Sequence, residues 1–209
     1  TRMNTLLVVL AVSAGSLVAA NASAQAAKPT VILVHGAFAD ATSWNRVIEI
    51  LKKDGYPVVA VANPLRGVAS DGQYVSDVVA SVTTPVVLVG HSYGGSVIST
   101  AARGHGNVQA LVFVAAFAPE AGETAAGLSG KFPGSTLGPT LAPPVKLTGG
   151  GAGLYIQQDK FHAQFAADVP AAEAALMAAT QRPITEAALN EKAGPPAWAS
   201  APSGCIYGD

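Results

Sequence analysis

The chain has 209 residues, half of them hydrophobic and only 12% charged, with a formal net charge of −1. That is enough for one well-filled domain with a surface lean in charge, and without a basic cluster it argues against nucleic acid as a partner. A single cysteine, Cys205, excludes an internal disulfide, and no Cys/His grouping has metal-ligand spacing, so neither a metal nor an organic cofactor is expected.

Met3-Asn4-Thr5 leads into an apolar run, Leu6 to Ala20, followed by Asn21-Ala22-Ser23-Ala24-Gln25. About fifteen apolar and small residues ending in Ala-x-Ala are short for a membrane span and suit a secretory signal peptide. Residues 1–26 are therefore expected to be a signal peptide, cleaved after Ala24 or Ala26. Residues 27–209 would then form one domain, periplasmic or secreted, with no stable membrane anchor after cleavage. An uncleaved apolar anchor is the alternative.

Thr30–Val34, TVILV, reads as a parallel strand buried on both faces. It runs into His35-Gly36-Ala37-Phe38, where Gly36 lets the backbone turn so that the next N–H points over the carboxyl edge of the sheet. A helix is expected from Ala41 to Asp54, capped by Asp40 or Thr42, with Trp44, Val47, Ile48 and Leu51 on its inner face. Pro57–Val61 is a second strand, Asn63-Pro64-Leu65-Arg66-Gly67 the loop after it, and Gln73–Val82 a helix with Tyr74, Val78 and Val82 inward.

Pro85–Gly95, PVVLVGHSYGG, is the most informative stretch. Its apolar run, its Gly-His-Ser-Tyr-Gly and the small residues beyond read as strand, sharp turn and helix, with Ser92 at the apex. A serine that presents its hydroxyl above a sheet edge sits in a tight turn, where bulk two positions away would strike the backbone. Gly90 and Gly94 remove that bulk. The Tyr93 N–H, at the start of the helix, is then the first donor of an oxyanion hole, and the Ala37 N–H the second.

Val108–Ala115 is a fourth strand, completing a β-α alternation typical of a doubly wound, mostly parallel sheet. From Phe117 to about Ile184 the pattern changes: Gly and Pro crowd residues 122–153, and alanine-rich helical segments follow at Leu154–Ala166 and Asp168–Ala179. An insertion of this length is expected to form a lid. Phe38, Phe117, Phe161 and Met177 are candidates for an apolar pocket wall, together with Phe132, Phe165 and Leu176. Thr185 caps a short helix, and Ser203–Tyr207 starts a fifth strand in which Cys205 is expected to be buried.

With VILVHGAFADATSW, NPLRG, VVLVGHSYGG and IYGD in hand, the chain from Thr30 to Asp209 resembles the α/β-hydrolase superfamily. Within it, the similarity is to the small-lidded branch of plant methyl-ester esterases, hydroxynitrile lyases and bacterial hydrolases. The resemblance implies an α/β-hydrolase fold with a helical lid, Ser92 as nucleophile, and a small apolar or aromatic ester as substrate. It also implies a triad in the chain order Ser, acid, His. The histidines are His35, His91, His105 and His162, none of them suitably placed after Ser92. In similar sequences the acid lies two residues past the Gly-Asp that ends at Asp209. The chain is therefore expected to be truncated, to lack its final strand and helix with the acid and base, and to be inactive or nearly so. Two alternatives stand beside the esterase: a hydroxynitrile lyase-like C–C lyase on the same fold, and a non-catalytic small-molecule binding protein. Lyases of this branch tend to carry a hydroxyl residue where this chain has Gly36.

Overall fold

The structure is a computed structural model that describes residues 27–207. The expected signal peptide, residues 1–26, and Asp209 lie outside the described residues.

Short β-branched runs build the sheet. Thr30–Val34 (β1) is buried along its whole length, as a central parallel strand must be. Val58–Val61 (β2) pairs with one side of it and Val86–His91 (β3) with the other. Val108–Val114 (β4) and Ser203–Ile206 (β8) extend the sheet beyond β3, giving five parallel strands in the order β2-β1-β3-β4-β8. The chain steps outward from β1 to β2 and then returns to the opposite side of β1. The connections that follow β1 and β3 therefore leave in opposite directions along the sheet, and in such sheets ligands bind in the crevice beyond the carboxyl ends at that switch point. Both motif loops of the sequence lie there.

Three helices connect these strands. Asn45–Lys53 (α1) follows a single 3-10 turn, Ala41–Trp44, whose first amide is capped by Asp40: the Thr42 N–H donates to Oδ1 at 2.8 Å. Trp44 is buried, and Ile48 and Leu51 pack beneath β1, but Val47 faces outward. Val68–Ala80 (α2) begins five residues earlier than the apolar spacing suggests. Its inner face consists of Val68, Val75 and Val79, while Tyr74 is exposed. The outward Tyr74 corrects the expected register by one residue, because burial of Val75 and Val79 against the sheet outweighs burial of a tyrosine whose hydroxyl needs water or a partner. Tyr93–Ala101 (α3) packs against α2, and its Val97 and Ile98 join Leu88 of β3 and Leu111 of β4 in one fully buried cluster.

The insertion between β4 and β8 is more regular than its Gly and Pro content suggests. It contains the helices Ala125–Gly130 (α4), Gln158–Phe165 (α5), Ala171–Thr180 (α6) and Glu186–Asn190 (α7). A small antiparallel sheet of Val145–Lys146 (β5), Ala152–Leu154 (β6) and Ile184–Thr185 (β7) ties its two ends together. Thr185 caps α7 as expected, its Oγ1 accepting from the Ala188 N–H at 3.1 Å. No helix among the described residues is long and apolar enough to cross a membrane.

Cys205 is exposed, as are all four residues of β8. This corrects the expected buried thiol. An apolar run buries its side chains only where another layer covers them, and β8 is the edge strand of the sheet, with no described layer over Cys205. Ellman's reagent is accordingly expected to titrate Cys205 in the native protein; a thiol that reacts only after denaturant is added would show the strand to be covered.

Candidate active site

Ser92 stands between β3 and α3 with φ 51° and ψ −123°, a conformation rare for any residue with a side chain. Such strain costs on the order of 1–3 kcal/mol and persists only where the surroundings hold it. Those surroundings are nearly all backbone. A Cβ at Gly90 would lie 2.5 Å from the Gly94 carbonyl oxygen, and one at Gly94 would lie 2.4 Å from that of Val34. At Gly36 a Cβ would come 2.7 Å from Ser92 Cβ and 3.3 Å from its Oγ. Thus Gly36 and Gly94 mark places where the β1 and β3 loops pass in contact, and Gly90 a place where the turn after β3 folds back on itself. Gly95, which the motif alone does not single out, is a fourth: its Cβ would lie 2.3 Å from the Phe117 carbonyl. Only the doubled glycine after the motif hinted at it.

The Ser92 carbonyl accepts from the N–H groups of Gly95, at 3.0 Å, and Phe117, at 3.1 Å, which pins the start of the insertion to the turn. Two amides nearby remain free. Tyr93 opens α3 and so has no intrahelical acceptor, and the Ala37 N–H meets no acceptor among the described residues. Ala37, Ser92 and Tyr93 line one cavity of about 490 Å³. Free amides beside a hydroxyl, at a helix start where the dipole adds partial positive charge, are suited to hold a developing oxyanion.

Two buried polar pairs, neither legible in the sequence, hold these loops in place. Asn63 Nδ2 donates to the His35 carbonyl at 3.0 Å, while His35 Nδ1 donates to the Gly36 carbonyl at 2.9 Å, so the β2 loop braces the β1 turn. On α2, Asp71 is fully buried and accepts from Tyr93 Oη at 2.9 Å, from the Arg66 N–H at 3.1 Å and from the Gly67 N–H at 3.4 Å. Burial pushes the Asp71 carboxyl up, opposed by these hydrogen bonds, and burial with the adjacent carboxylate raises the Tyr93 phenol. The side chain of Tyr93 is thereby anchored on the far side of the helix from its free amide.

The histidines are accounted for elsewhere. His35 is buried in the turn, His91 packs edge-on against Trp44 with ring centroids 6.4 Å apart, His105 bonds Ser76 Oγ at 2.7 Å, and His162 Nε2 bonds the Val169 carbonyl at 2.9 Å. None is hydrogen-bonded to Ser92. Among the described residues no group of three or more His, Cys, Asp or Glu could hold a metal ion.

Phe38, Phe117 and Phe165 line the Ser92 cavity together with Leu137 and Leu189. Phe161 does not. It is completely buried behind Phe165, centroids 5.0 Å apart, as part of the core that α5 shares with the body of the domain. Met177 also falls outside the cavity, because α6 turns it towards α1, where it lines a separate cleft. Phe132 and Leu176 are exposed. Alanines, glycines and serines of α4 and its flanks supply much of the remaining wall, and such residues carry no periodic signal that would reveal it.

Residues 31–209 match the Alpha/beta hydrolase family. The chain belongs to that family. Putative methylesterase 11 of Arabidopsis thaliana, a chloroplastic protein, is 35% identical to this hydrolase over 83 residues, covering 34% of the chain and 21% of the relative. The match thus spans about a fifth of that curated protein. Among solved structures, polyneuridine aldehyde esterase superposes with a TM-score of 0.72 at 18% identity, covering 86% of this chain and 80% of that one. An extracellular α/β-hydrolase from a Paenibacillus species gives 0.69 at 23%, covering 86% and 77%. A pyrethroid hydrolase from Sphingobium faniae gives 0.62 at 21%, covering 79% and 71%. At these identities the structures establish the shared fold of the hydrolase.

Two outcomes follow from this geometry. Gly94→Ala drives a methyl into the Val34 carbonyl, and the urea midpoint is expected to fall by the equivalent of at least about 1–3 kcal/mol. Burial lowers the pKa of both His35 and His91 below the ordinary imidazole value. The unfolded chain therefore binds protons that the folded chain refuses, and stability, full above about pH 6.5, is lost as pH falls through the lowered native values. In thermal melts across that range His91→Phe is expected to flatten the slope; an unchanged slope would assign the effect to other groups.

Proposed function

We propose that Ser92 is the nucleophile of a carboxylic ester hydrolase acting on small apolar or aromatic esters. The observation that supports this most is the strained serine at a helix start, facing an apolar-walled cavity that it shares with two free amides. In the proposed reaction Ser92 Oγ attacks the acyl carbon as its proton passes to a base, and the Ala37 and Tyr93 N–H groups hold the oxyanion. The alcohol then leaves, and water releases the acyl group. The methylesterase and esterase names among the relatives lend the ester class further support.

None of the four histidines bonds Ser92, so the proton must go to a base outside residues 27–207, and the 209-residue chain by itself is proposed to be nearly inactive. That same observation favours a second reading, a binding protein that keeps the pocket without turnover. The lyase reading fares worse, since a side chain at Gly36 would collide with Ser92. Export directed by residues 1–26 belongs to the same proposal and predicts a secreted product whose mass lacks them.

With imidazole added to supply the base, an alkyl fluorophosphonate is expected to label Ser92 alone, with the label lost in Ser92→Ala. Turnover of p-nitrophenyl butyrate should be close to background and rise with added imidazole, which can supply the base, in the wild type but not in Ser92→Ala. Absence of label at Ser92 would place the binding-protein reading first.

A further inference from the structure

We propose that the cleft between α1 and α6 is a second compartment of the Ser92 site, shut off by the ring of Phe38, and that it takes the distal arm of an elongated apolar ester. This rests on the ester hydrolase reading and extends it to the shape of the substrate.

Two cavities of similar size lie on either side of Phe38. One, of about 490 Å³, contains Ser92; the other, of about 450 Å³, lies between the body and the lid, with Val169, Leu176 and Met177 as its apolar lining. The narrow space between them has a volume of only about 10 Å³ and is lined by Phe38 and Met177 together with Asp40, Thr42, Ser43, Thr180 and Gln181. Phe38 also lines the Ser92 cavity, and Met177 also lines the cleft. A space of that size is at the lower limit for a single water molecule, so no part of a substrate passes while the ring stays in place.

The ring is held there by its backbone. Phe38 has a φ of 61°, in the left-handed region that bulky residues avoid, and its N–H donates to the Arg182 carbonyl at 3.1 Å. On its inner side the ring meets Phe165 edge-on, centroids 6.2 Å apart. With the backbone tied on one side to the oxyanion turn and on the other to the lid, the opening motion left to Phe38 is rotation of its side chain. Such a rotation joins the two cavities without disturbing the Ala37 amide. Arg46 of α1 and Glu173 of α6, both exposed, pair at 2.7 Å beside the cleft, and Asp40, Thr42, Ser43 and Thr180 line it together with the apolar side chains. An apolar arm entering from the Ser92 side would lie against Val169, Leu176 and Met177. That contact is also a reason why Met177, away from the nucleophile, can still bear on specificity.

The test uses ethyl and decyl fluorophosphonates, with imidazole added as the base, and reads the ratio of their labelling rates at Ser92. Phe38→Ala is expected to raise the decyl-to-ethyl ratio by at least about tenfold, the worth of roughly two further buried methylenes. Phe38→Gly, which relieves the positive φ, should do the same and guards against a folding defect in the alanine variant. Adding Met177→Glu to Phe38→Ala should return the ratio towards the wild-type value, since a carboxylate then stands in the path of the arm. A ratio unchanged in both Phe38 variants, or one raised and indifferent to Met177→Glu, overturns the second compartment while leaving the nucleophile intact. Failure of both probes to label Ser92 in any form would instead overturn the hydrolase reading and this inference with it.

Discussion

A serine held at φ 51° is stable only where the chain cannot relax, and much of this molecule serves to prevent relaxation at Ser92. The β1 and β3 loops touch through glycines, so that backbone lies directly on backbone with no compressible side chain between. The Ser92 carbonyl is engaged by both Gly95 and Phe117, which couples the turn to its own helix and to the entry of the lid. The parallel pairing of β1 with β3 brings those loops to the same edge, and the chain reversal around β1 opens the space into which the hydroxyl points.

Polar groups buried beneath the site extend this rigidity. Asp71 gathers the Tyr93 phenol and two adjacent backbone amides of the loop after β2, and Asn63 of the same loop supports the His35 carbonyl. In a low-dielectric interior an acceptor satisfied as Asp71 is specifies one arrangement, since displacement leaves it unpaired, whereas Asn63 Oδ1 and His35 Nε2 are buried without a partner among the described residues. The outcome for the site is that both free amides, at Ala37 and at Tyr93, belong to turns held by these bonds. Electrostatic stabilisation of an oxyanion depends on donors that do not have to reorganise when charge develops.

The lid meets this rigid edge with softer material. Its helices are short, its small sheet has strands of two or three residues, and its cavity wall is made largely of alanine, glycine, serine and a few aromatic rings. Shape at such a wall is adjusted by single side chains. Phe38 is the clearest instance, since it belongs to the rigid turn by its backbone and to the adaptable wall by its ring. The walls of the Ser92 cavity are thus drawn from two kinds of structure that meet at Phe38.

Local sequence was sufficient for the features that short-range physics dictates. The β-branched runs declared the strands, and the glycine spacing around Ser92 declared the turn, since Gly90 faces Gly94 within the turn itself, although the contact of Gly94 with Val34 is made only across the sheet. Tertiary packing decided the rest. It selected Val75 and Val79 over Tyr74 for the inner face of α2, sent Phe161 into the core and Met177 to the far side of Phe38, and left Cys205 uncovered on an edge strand. Each of these depends on what lies across from a residue, and an apolar side chain reads alike in the sequence whether it faces a core, a cavity or solvent. The Asp71–Tyr93 and Asn63–His35 pairs were hidden for the same reason, since partners 22 and 28 positions apart leave no local pattern until the sheet brings them together.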